Sequence, residues 1–479
     1  MKEIVLTTIN AKWIHPSLAL RLLKANLGSL QDSCEIIEFA IRQPLAEKLA
    51  PFLLPNAPPK ILGISVSIWN HLATIELLKE LNKIFKDAKP VIVLGGPEVS
   101  HLSKDAEIFK YADHVIRGEG EIAFRELCEK ILEKEPLVRT EIKSAYHLYT
   151  DEDAARKLIY VESSRGCPFK CEFCLSSVEK KTYEFPLEPF LAEMDILIQR
   201  GVKTFKFLDR SFNTNIPRAL QIIEFFLNKI EQAQSSPSVN SVPFTVHFEM
   251  VPSLFPPELL QALTRFPPGT LRLEIGIQTL NPEVSARIGR PSNPQKELAA
   301  LQFLREKTNA IIHADLIAGL PGEDLASFGR GFDQLWITCG KGNSYGSSLG
   351  NSYASNYGSS YISSYLEIQL GILKLLPGAP IARHNTAFGM HFMQVPPYEI
   401  EETSSISASD MKKIKNFARF WELIVNRGMN IPKNEPIFDK FLEIADELSN
   451  HFGKNWGIDK KKLHEKVKNT TFYNIFPIS

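Results

Sequence analysis

Three cysteines in one short segment constrain this chain more than any other feature. The segment RGCPFKCEFC contains Cys167, Cys171 and Cys174, and no other cysteine lies nearby. A structural zinc site needs four protein ligands, and so does an ordinary four-iron cluster. The nearest histidines on either side do not have zinc-finger spacing. The segment therefore predicts an iron–sulfur cluster held by three thiolates, with one iron open to another ligand.

Composition limits the classes of protein and partner. The chain has 479 residues, and its 55 lysines and arginines balance 55 aspartates and glutamates. A neutral chain has no overall field that would draw it to nucleic acid or anionic lipid. No apolar run approaches the roughly 18–20 residues of a membrane helix, and the N-terminus reads as a first strand rather than a signal peptide. We expect a cytoplasmic protein with reduced thiols, in which Cys34 and Cys128 are small core residues.

Residues 1–135 alternate apolar strand-like runs with amphipathic helical runs. The strand candidates are EIVLTTI, CEIIEFAI, ILGISVSIW, VIVLGGPEVS and HVIRGEGE. Apolar strands separated by helices indicate a parallel sheet that is covered on both faces. The pattern predicts an α/β fold of the doubly wound, Rossmann-like kind, and such sheets bind ligands beyond the carboxyl ends of their strands.

A second α/β series occupies residues 155–385, after a polar linker at 136–154. Its first strand, LIYVES, leads directly into the cysteine segment, and five more follow: KTFKFLD, PFTVHFEM, TLRLEIGIQ, IIHADLIAG and LEIQLGI. Six units are fewer than the eight of a complete TIM barrel, so we predict a partial, open (β/α)6 barrel. A low-complexity insertion is predicted at 340–365, where residues 342–365 are six tetrapeptides rich in serine, glycine and tyrosine.

Residues 386–479 predict a helical C-terminal domain. Five apolar residues recur there at helical spacing, namely Met411, Ile414, Phe417, Trp421 and Ile424. Ser407 or Ser409 could cap the start of this helix, and Gly428 suits its end. No motif in this region names a ligand.

The cysteine segment resembles the hallmark of the radical S-adenosylmethionine (radical SAM) enzymes. That hallmark is CxxxCxxC with an aromatic residue before the last cysteine, here Phe173. The resemblance implies a 4Fe-4S cluster whose open iron chelates the methionine moiety of S-adenosylmethionine. Reductive cleavage then gives a 5′-deoxyadenosyl radical. In such enzymes the cofactors carry the chemistry, and the protein positions them.

Three later segments resemble the family's SAM-binding elements. The resemblance to the family as a whole covers roughly residues 155–385. FLDRSFN places Asp209 near where the family contacts the amino group, although the glycine-rich GGE form is absent. EIGIQTLN offers Glu274 and Gln278 near the cluster, ribose or substrate, and HADLIAGLPGED offers Gly319 and Gly322 near the adenine. Read without the resemblance, the carboxylates could be structural and the glycines could simply form a turn.

The N-terminal domain resembles the cobalamin-binding domain that precedes the core in one radical SAM class. The matching stretches are GISVSIW, LGGPEVS and IRGEGE, with the residues Ser65, Ser67, Gly95, Gly96 and Glu119. Glycines suit a bulky nucleotide tail because a Cβ would block its close approach. The alternative is a Rossmann-like domain with another ligand or none. A dinucleotide is disfavoured because no GxGxxG follows the first strand.

The sequence departs from cobalamin domains that carry DxHxxG, whose histidine ligates cobalt from below. His15 lies in roughly the right region but lacks the flanking Asp and Gly. We therefore predict that the cobalamin domain supplies no histidine ligand to cobalt, and that His15 is a cap or a substrate-side residue.

The resemblance predicts a cobalamin-dependent radical SAM methyltransferase acting on an unactivated carbon or phosphorus centre. Its expected partners are a small-molecule or natural-product-like substrate and an electron donor such as flavodoxin or ferredoxin. One alternative is radical oxidoreductase or cyclase chemistry without methyl transfer. Another is a tRNA-modifying enzyme similar to the methylthiotransferases, against which the neutral charge and the lack of a recognisable RNA-binding module count.

Overall fold

The computed structural model describes residues 2–53, 58–85, 89–138, 141–178, 182–235, 244–340, 365–427 and 435–468. The first five strands form one parallel sheet in the order β2-β1-β3-β4-β5. They are β1 (Ile4–Asn10), β2 (Cys34–Ala40), β3 (Ile61–Ser65), β4 (Val91–Gly95) and β5 (His114–Val115). The accompanying helices are α1 (Leu18–Ala25), α2 (Leu45–Leu49), α3 (His71–Phe85), α4 (Pro97–His101) and α5 (Glu121–Ile131).

This sheet is covered on both faces, as its apolar strand runs predicted. Val5 and Ile64 belong to one buried cluster, whereas their neighbours Ile4 and Leu6 belong to another. Successive side chains of a strand point to opposite faces, so the two clusters are the two layers of a doubly wound domain. Cys34 and Cys128 lie together in the second cluster, which confirms that they are core residues.

The second sheet is also parallel and has six strands, in the order β13-β12-β11-β10-β9-β6. These are β6 (Ile159–Val161), β9 (Thr204–Phe207), β10 (Thr245–Met250), β11 (Leu271–Gln278), β12 (Ile311–Ala318) and β13 (Tyr365–Ile372). Two short strands, β7 (Ser164–Arg165) and β8 (Tyr183–Glu184), pair beside the cysteine segment. The helices are α7 (Leu187–Gln199), α8 (Ile216–Ser235), α9 (Pro257–Leu263), α10 (Pro282–Arg287), α11 (Pro294–Lys307) and α12 (Leu325–Cys339). The partial barrel is confirmed, and residues 341–364 of the predicted insertion lie outside the described residues.

The segment expected to be a polar linker contributes to the core. It contains most of helix α6 (Asp151–Arg156), which begins with a Thr150 and Asp153 capping box. Tyr146 and Tyr149 are buried against the barrel, and Tyr149 donates its hydroxyl hydrogen to Tyr160 O at 2.8 Å. Aromatic side chains of this size fill core volume, so this segment packs as part of the barrel's wall.

The C-terminal region is mainly helical, with α13 (Ala408–Ile424), α14 (Phe438–Phe452) and α15 (Lys460–Lys468). Ser407 caps α13 by accepting a hydrogen bond from Asp410 N, while Gly428 lies outside the described residues. The expectation of helices alone was wrong in one detail, because β14 (His391–Phe392) and β15 (Ile400–Glu402) form a short antiparallel pair. The helices share one core with the barrel, where Trp336 of α12 meets Trp421 of α13 edge to face at 5.3 Å.

Candidate functional site

The cysteine segment is held in place from two sides. Glu172 N donates to Ile288 O, and Ile381 N donates to Glu172 O, both at 3.0 Å. The Glu172 carboxylate accepts hydrogen bonds from Arg383 Nε at 2.9 Å and His384 Nε2 at 2.9 Å. These contacts come from segments on either side of the barrel's last strand, so the loop's shape depends on the assembled fold rather than on local sequence.

All three cysteines line one cavity of about 230 Å³ at the carboxyl ends of the barrel strands. Arg290 Nη1 lies 3.7 Å from Cys171 Sγ, and Ser211 Oγ lies 3.3 Å from Cys167 Sγ. Burial raises the pKa of the Cys171 thiol, and the Arg290 guanidinium opposes that rise. In the described ranges no three His, Cys, Asp or Glu side chains converge tightly enough to hold one metal ion. A four-iron cube instead takes each thiolate on a different iron.

The other residues lining the cavity come from successive strands and the turns after them. Residues of β10, β11 and β12 face it because alternate side chains of a strand share a face. The register places Glu249 beside Glu274 and Gly276 beside Asp315. The lining beyond the cysteines consists of Phe169, Phe173, Ser176, Ser177, Arg210, Ser211, Glu249, Met250, Val251, Glu274, Gly276, Gln278, Arg290 and Asp315.

Three of the predicted SAM-site residues, Phe173, Glu274 and Gln278, therefore lie in the cavity. Gln278 has a positive φ of 70° where β11 shifts register against β12. A Cβ on Gly276 would lie 2.3 Å from Gln278 Nε2, so the glycine makes room for that side chain. Positive φ at a non-glycine residue stores strain and is frequent at functional sites.

Asp209 does not line the cavity. Its side chain is 1% exposed, and its carboxylate accepts hydrogen bonds from Ser163 N at 2.9 Å, Ser163 Oγ at 2.6 Å and Ser164 Oγ at 2.7 Å. Burial raises the pKa of this carboxyl, although these hydrogen bonds oppose the rise. Asp209 thus holds the chain in place just before the cysteines. Its neighbours Arg210 and Ser211 line the cavity instead.

Gly319 and Gly322 also lie outside the cavity lining. Both have positive φ, 89° and 76°, so they form the turn that follows β12. A Cβ on Gly319 would lie 2.6 Å from Ile400, and one on Gly322 would lie 2.9 Å from Phe388. The turn needs glycine because the segment after the barrel packs closely on it. An adenine contact by these residues stays a prediction.

The acidic groups of the cavity have very different affinities for protons. Burial opposes ionisation of Glu274, but His247 at 3.3 Å and Lys206 at 3.1 Å outweigh it and lower the pKa of this carboxyl to about 2. Burial raises the pKa of Glu249 to about 7, and burial with the nearby Glu274 and Glu249 raises the pKa of Asp315 well above its usual value. Burial lowers the pKa of His247 to about 4, so this ring is neutral at pH 7.

Sequence reasoning missed Glu249, Asp315, Arg210 and Arg290. For the first two a signal existed, since polar residues at alternate positions of apolar strands, as in TVHFEM and IIHADLIA, mark a face turned to a polar interior. Arg290 carries no such signal, because it follows α10 and enters the cavity only through the fold. Arg290 Nε and Gln278 Oε1 are buried and have no hydrogen-bond partner among the described residues.

The residues present fit the predicted cluster and S-adenosylmethionine. Three thiols share the cavity, and two buried polar atoms there lack partners. A guanidinium suits a carboxylate, and carboxyl groups suit an ammonium. Arg290, Glu249 and Asp315 therefore offer the polar complement that the methionine end of the cofactor needs.

Four of the five predicted cobalamin residues lie at the carboxyl edge of the first sheet, where Ser65 pairs with Gly95 in register; the four are Ser65, Ser67, Gly95 and Gly96. A Cβ on Gly96, whose φ is 102°, would lie 2.5 Å from Val66 O, so the chain itself requires this glycine. A Cβ on Gly95 would have no neighbour closer than 3.8 Å. Ser67 is buried, and its N–H donates to Asn70 Oδ1 at 2.8 Å. The chain itself thus does not require glycine at position 95, and contact of Gly95 with a nucleotide tail stays a prediction.

Glu119 and His15, two other residues singled out in the sequence, contact the second sheet domain. The Glu119 carboxylate accepts hydrogen bonds from Arg165 Nη1 at 3.3 Å and Tyr183 Oη at 3.0 Å. His15 Nδ1 lies 2.7 Å from Tyr160 Oη, and burial lowers the pKa of this half-buried ring. A cobalamin contact by Glu119 stays a prediction, whereas its contact with the segment before Cys167 is direct.

Comparison with known proteins gives a family match within each of the two parallel-sheet units. Residues 161–334 match the radical SAM superfamily, and residues 4–128 match the B12 binding domain. An uncharacterized methyltransferase, PH0819 of Pyrococcus horikoshii, is 27% identical over 308 residues, which are 57% of this chain and 62% of that protein. The cobalamin-dependent radical SAM methyltransferase TokK of Streptomyces tokunonensis is 24% identical over 320 residues, 58% of this chain and 45% of TokK. The chain thus spans less than two thirds of these relatives.

Solved structures show the same fold. The cobalamin-dependent S-adenosylmethionine radical enzyme OxsB with aqua-cobalamin has a TM-score of 0.62 at 13% identity, covering 98% of this chain and 76% of OxsB. The methyltransferase TsrM from Kitasatospora setae with cobalamin and a [4Fe-4S] cluster has a TM-score of 0.56 at 16% identity, covering 80% of this chain and 74% of TsrM. None of the helices in the described ranges combines the length and apolarity of a membrane span.

Proposed function

Because the chain belongs to the radical SAM superfamily and carries a B12-binding domain, we propose that it is a cobalamin-dependent methyltransferase acting on an unactivated carbon or phosphorus centre. The observation that carries the proposal is the cavity in which Cys167, Cys171 and Cys174 meet Arg290 and the strand carboxyls. The B12-binding domain contacts the chain two residues before Cys167, through the ion pairs of Arg165 with Glu119 and Glu121.

The chain's own residues have distinct parts in this proposal. The three cysteines hold the cluster, Arg290 and the acidic groups orient S-adenosylmethionine, and the β3 and β4 edges hold cobalamin. When bound, these cofactors supply an electron, a radical precursor and a methyl carrier. Glu249, with a pKa of about 7, can take up or release a proton at neutral pH, whereas Glu274 stays ionised. General acid–base groups work best when their pKa lies near the working pH.

Relatives support methyl transfer over methylthio transfer. Two similar proteins are named methyltransferases that act with cobalamin or on a carbapenam carboxylate. The ribosomal protein uS12 methylthiotransferase RimO of Sulfurovum is 24% identical over 176 residues, only 35% of this chain. The match to RimO therefore leaves about two thirds of the chain unmatched. The B12 binding domain, by contrast, matches residues 4–128 of this chain.

The substrate and partners follow from the same proposal. We propose a small, natural-product-like substrate and a one-electron donor of the flavodoxin or ferredoxin class. All six cysteines are free thiols, which suits a reducing compartment such as the cytoplasm. A second candidate is cobalamin-dependent radical chemistry without methyl transfer, because the fold of OxsB, a cobalamin-dependent S-adenosylmethionine radical enzyme, matches 98% of the chain.

One experiment separates these candidates. The protein is produced with hydroxocobalamin, reconstituted anaerobically with iron and sulfide, and assayed for cobalt, 5′-deoxyadenosine and S-adenosylhomocysteine. Methyl transfer predicts bound cobalt and both products. Cobalt with 5′-deoxyadenosine alone supports the second candidate. Protein that binds no cobalt contradicts both.

A further inference from the structure

Arg290 makes a contact to the cysteine segment that binding of a ligand does not require. Its Nη1 lies 3.7 Å from Cys171 Sγ, and its Nη2 donates to Gly276 O. These contacts direct one edge of the guanidinium at the thiol sulfur and anchor the other end to strand β11. The Nε–H of Arg290 has no partner among the described residues and is available to donate a hydrogen bond to a ligand.

The backbone around Arg290 is built onto the same segment. Glu172 N donates to Ile288 O at 3.0 Å, so the residue two before Arg290 is bonded to the residue after Cys171. A Cβ on Gly289, whose φ is 64°, would lie 3.0 Å from Lys170 O. Arg290 and Cys171 are therefore held together by main-chain contacts, which makes their approach a property of the fold rather than of one flexible side chain.

Such a contact has a defined effect on a metal cluster. When one electron enters an iron–sulfur cluster, negative charge on the cluster and its thiolates increases. Hydrogen bonds to the sulfurs, and positive charge beside them, stabilise this reduced form and raise the reduction potential. A donor that is itself charged makes a hydrogen bond roughly twice as strong as a neutral one. Ser211, 3.3 Å from Cys167 Sγ, is neutral, so Arg290 has the larger influence.

We propose that Arg290 tunes the cluster by donating a hydrogen bond to the Cys171 thiolate, so that an external low-potential one-electron donor reduces the cluster more readily. The donor loses one electron and the cluster gains it. No bond is broken, and the guanidinium keeps its proton because arginine side chains are not deprotonated in proteins. This inference rests on the cluster assigned under the proposed function, but not on methyl transfer or on any substrate.

The matched control is Arg210. It lines the same cavity and carries the same charge, and none of its described contacts reaches a cysteine sulfur. Arg290→Gln removes charge and hydrogen bond together, Arg290→Lys keeps the charge but loses the planar fork, and Arg210→Gln removes only a charge. Comparison of the three separates the hydrogen bond from the general field of the cavity.

The test is a potentiometric titration of the reconstituted full-length protein, followed by the electron paramagnetic resonance of the reduced cluster without S-adenosylmethionine. We expect the charged hydrogen bond to stabilise the reduced cluster over the oxidised one by about 1.4 kcal/mol, so its loss lowers the ratio of reduced to oxidised cluster roughly tenfold at a fixed potential. That corresponds to a fall of about 59 mV in the midpoint potential of Arg290→Gln. We expect a smaller fall in Arg290→Lys and the smallest in Arg210→Gln.

Two results would overturn the proposal: an Arg290→Gln midpoint equal to that of the unmodified protein, or an equal fall in Arg210→Gln. If iron and sulfide analysis finds no cluster in Arg290→Gln, the midpoint potential of Arg290→Lys is the deciding measurement. A midpoint potential of Arg290→Lys equal to that of the unmodified protein then rejects the proposal. Failure of the proposed function would look different. An unmodified protein without a cluster would contradict the assignment itself, and a normal cluster without methyl transfer would leave the Arg290 effect intact.

Discussion

The guanidinium of Arg165 lies 3.3 Å from the Glu119 carboxylate and so joins the first sheet domain to the strand that leads into the cysteine segment. The same guanidinium contacts Glu121 at 3.0 Å and Glu162 at 2.8 Å. Arg165, Glu121 and Glu162 are largely buried, whereas Glu119 is about half exposed. One cation therefore serves three carboxylates at the junction of the two domains.

Loss of this cation will destabilise the domain junction. Arg165→Met leaves Glu121 and Glu162 buried without a counter-charge, and breaking a buried pair this way costs roughly 3–5 kcal/mol. Glu119→Gln removes only the exposed partner, so its cost stays below about 1 kcal/mol. Denaturant unfolding of the three proteins measures the difference. Equal stability of Arg165→Met and Glu119→Gln would show that the junction does not depend on the buried pairs.

The two adjacent glycines at the end of β4 will respond differently to substitution. In Gly96→Ala the new Cβ meets Val66 O at 2.5 Å with φ at 102°, so we expect about 1–3 kcal/mol of lost stability. Gly95→Val meets no atom closer than 3.8 Å at its Cβ, and its stability should change by less than about 1 kcal/mol. Its affinity for hydroxocobalamin should nevertheless fall roughly tenfold or more, a loss of at least 1.4 kcal/mol. If a folded Gly95→Val protein binds cobalamin as tightly as the unmodified protein, this edge of the sheet is not part of the cobalamin site.

Glu249 will make the protein less stable as the pH rises. Its pKa is raised from 4.5 to about 7 in the folded state. The folded protein therefore keeps a proton that the unfolded chain loses between these values, and the free energy of unfolding falls across that window. The fall is about 3 kcal/mol at most. Unfolding measured at pH 5 and pH 8 should show this loss in the unmodified protein relative to Glu249→Gln.

Glu274 is the matched control because its shift has the opposite sign. Its pKa of about 2 lies below 4.5, so its stabilisation is complete above pH 4.5 and is lost only as the pH falls towards 2. Glu274→Gln should be less stable than the unmodified protein at pH 5 and at pH 8. The difference should be smaller at pH 8, because loss of the ionised Glu274 lowers the pKa of Glu249. If the effect of Glu249→Gln is the same at both values, Glu249 is ionised throughout and cannot act as a proton carrier at neutral pH.

The sequence was most informative where a segment resembling a family motif ends a strand. Glu274 and Gln278 were identified because EIGIQTLN resembles a SAM-binding element of the radical SAM enzymes, and the structure places both in the cavity. Asp209 shows the limit of this reasoning. It follows a strand in the expected place, but Ser163 and Ser164 supply a complete set of donors and hold it away from the cavity.

Contacts between distant segments were beyond sequence reasoning. Glu172 forms ion pairs with residues more than 200 positions away, and Arg290 approaches Cys171. No local sequence pattern predicts either contact. The helical region was correctly assigned from its spacing, yet the packing of Trp421 on Trp336 makes it part of the barrel's core. Hydrophobic periodicity identifies which face is buried but not the surface against which it packs.

Release of 5′-deoxyadenosine by reduced, anaerobically reconstituted protein tests the central claim most directly. The account predicts release by the unmodified protein and by Cys34→Ala, whose cysteine lies in the core of the first domain. It predicts none from Cys167→Ala, Cys171→Ala or Cys174→Ala. Cleavage of S-adenosylmethionine that survives in all three of these variants would contradict the account.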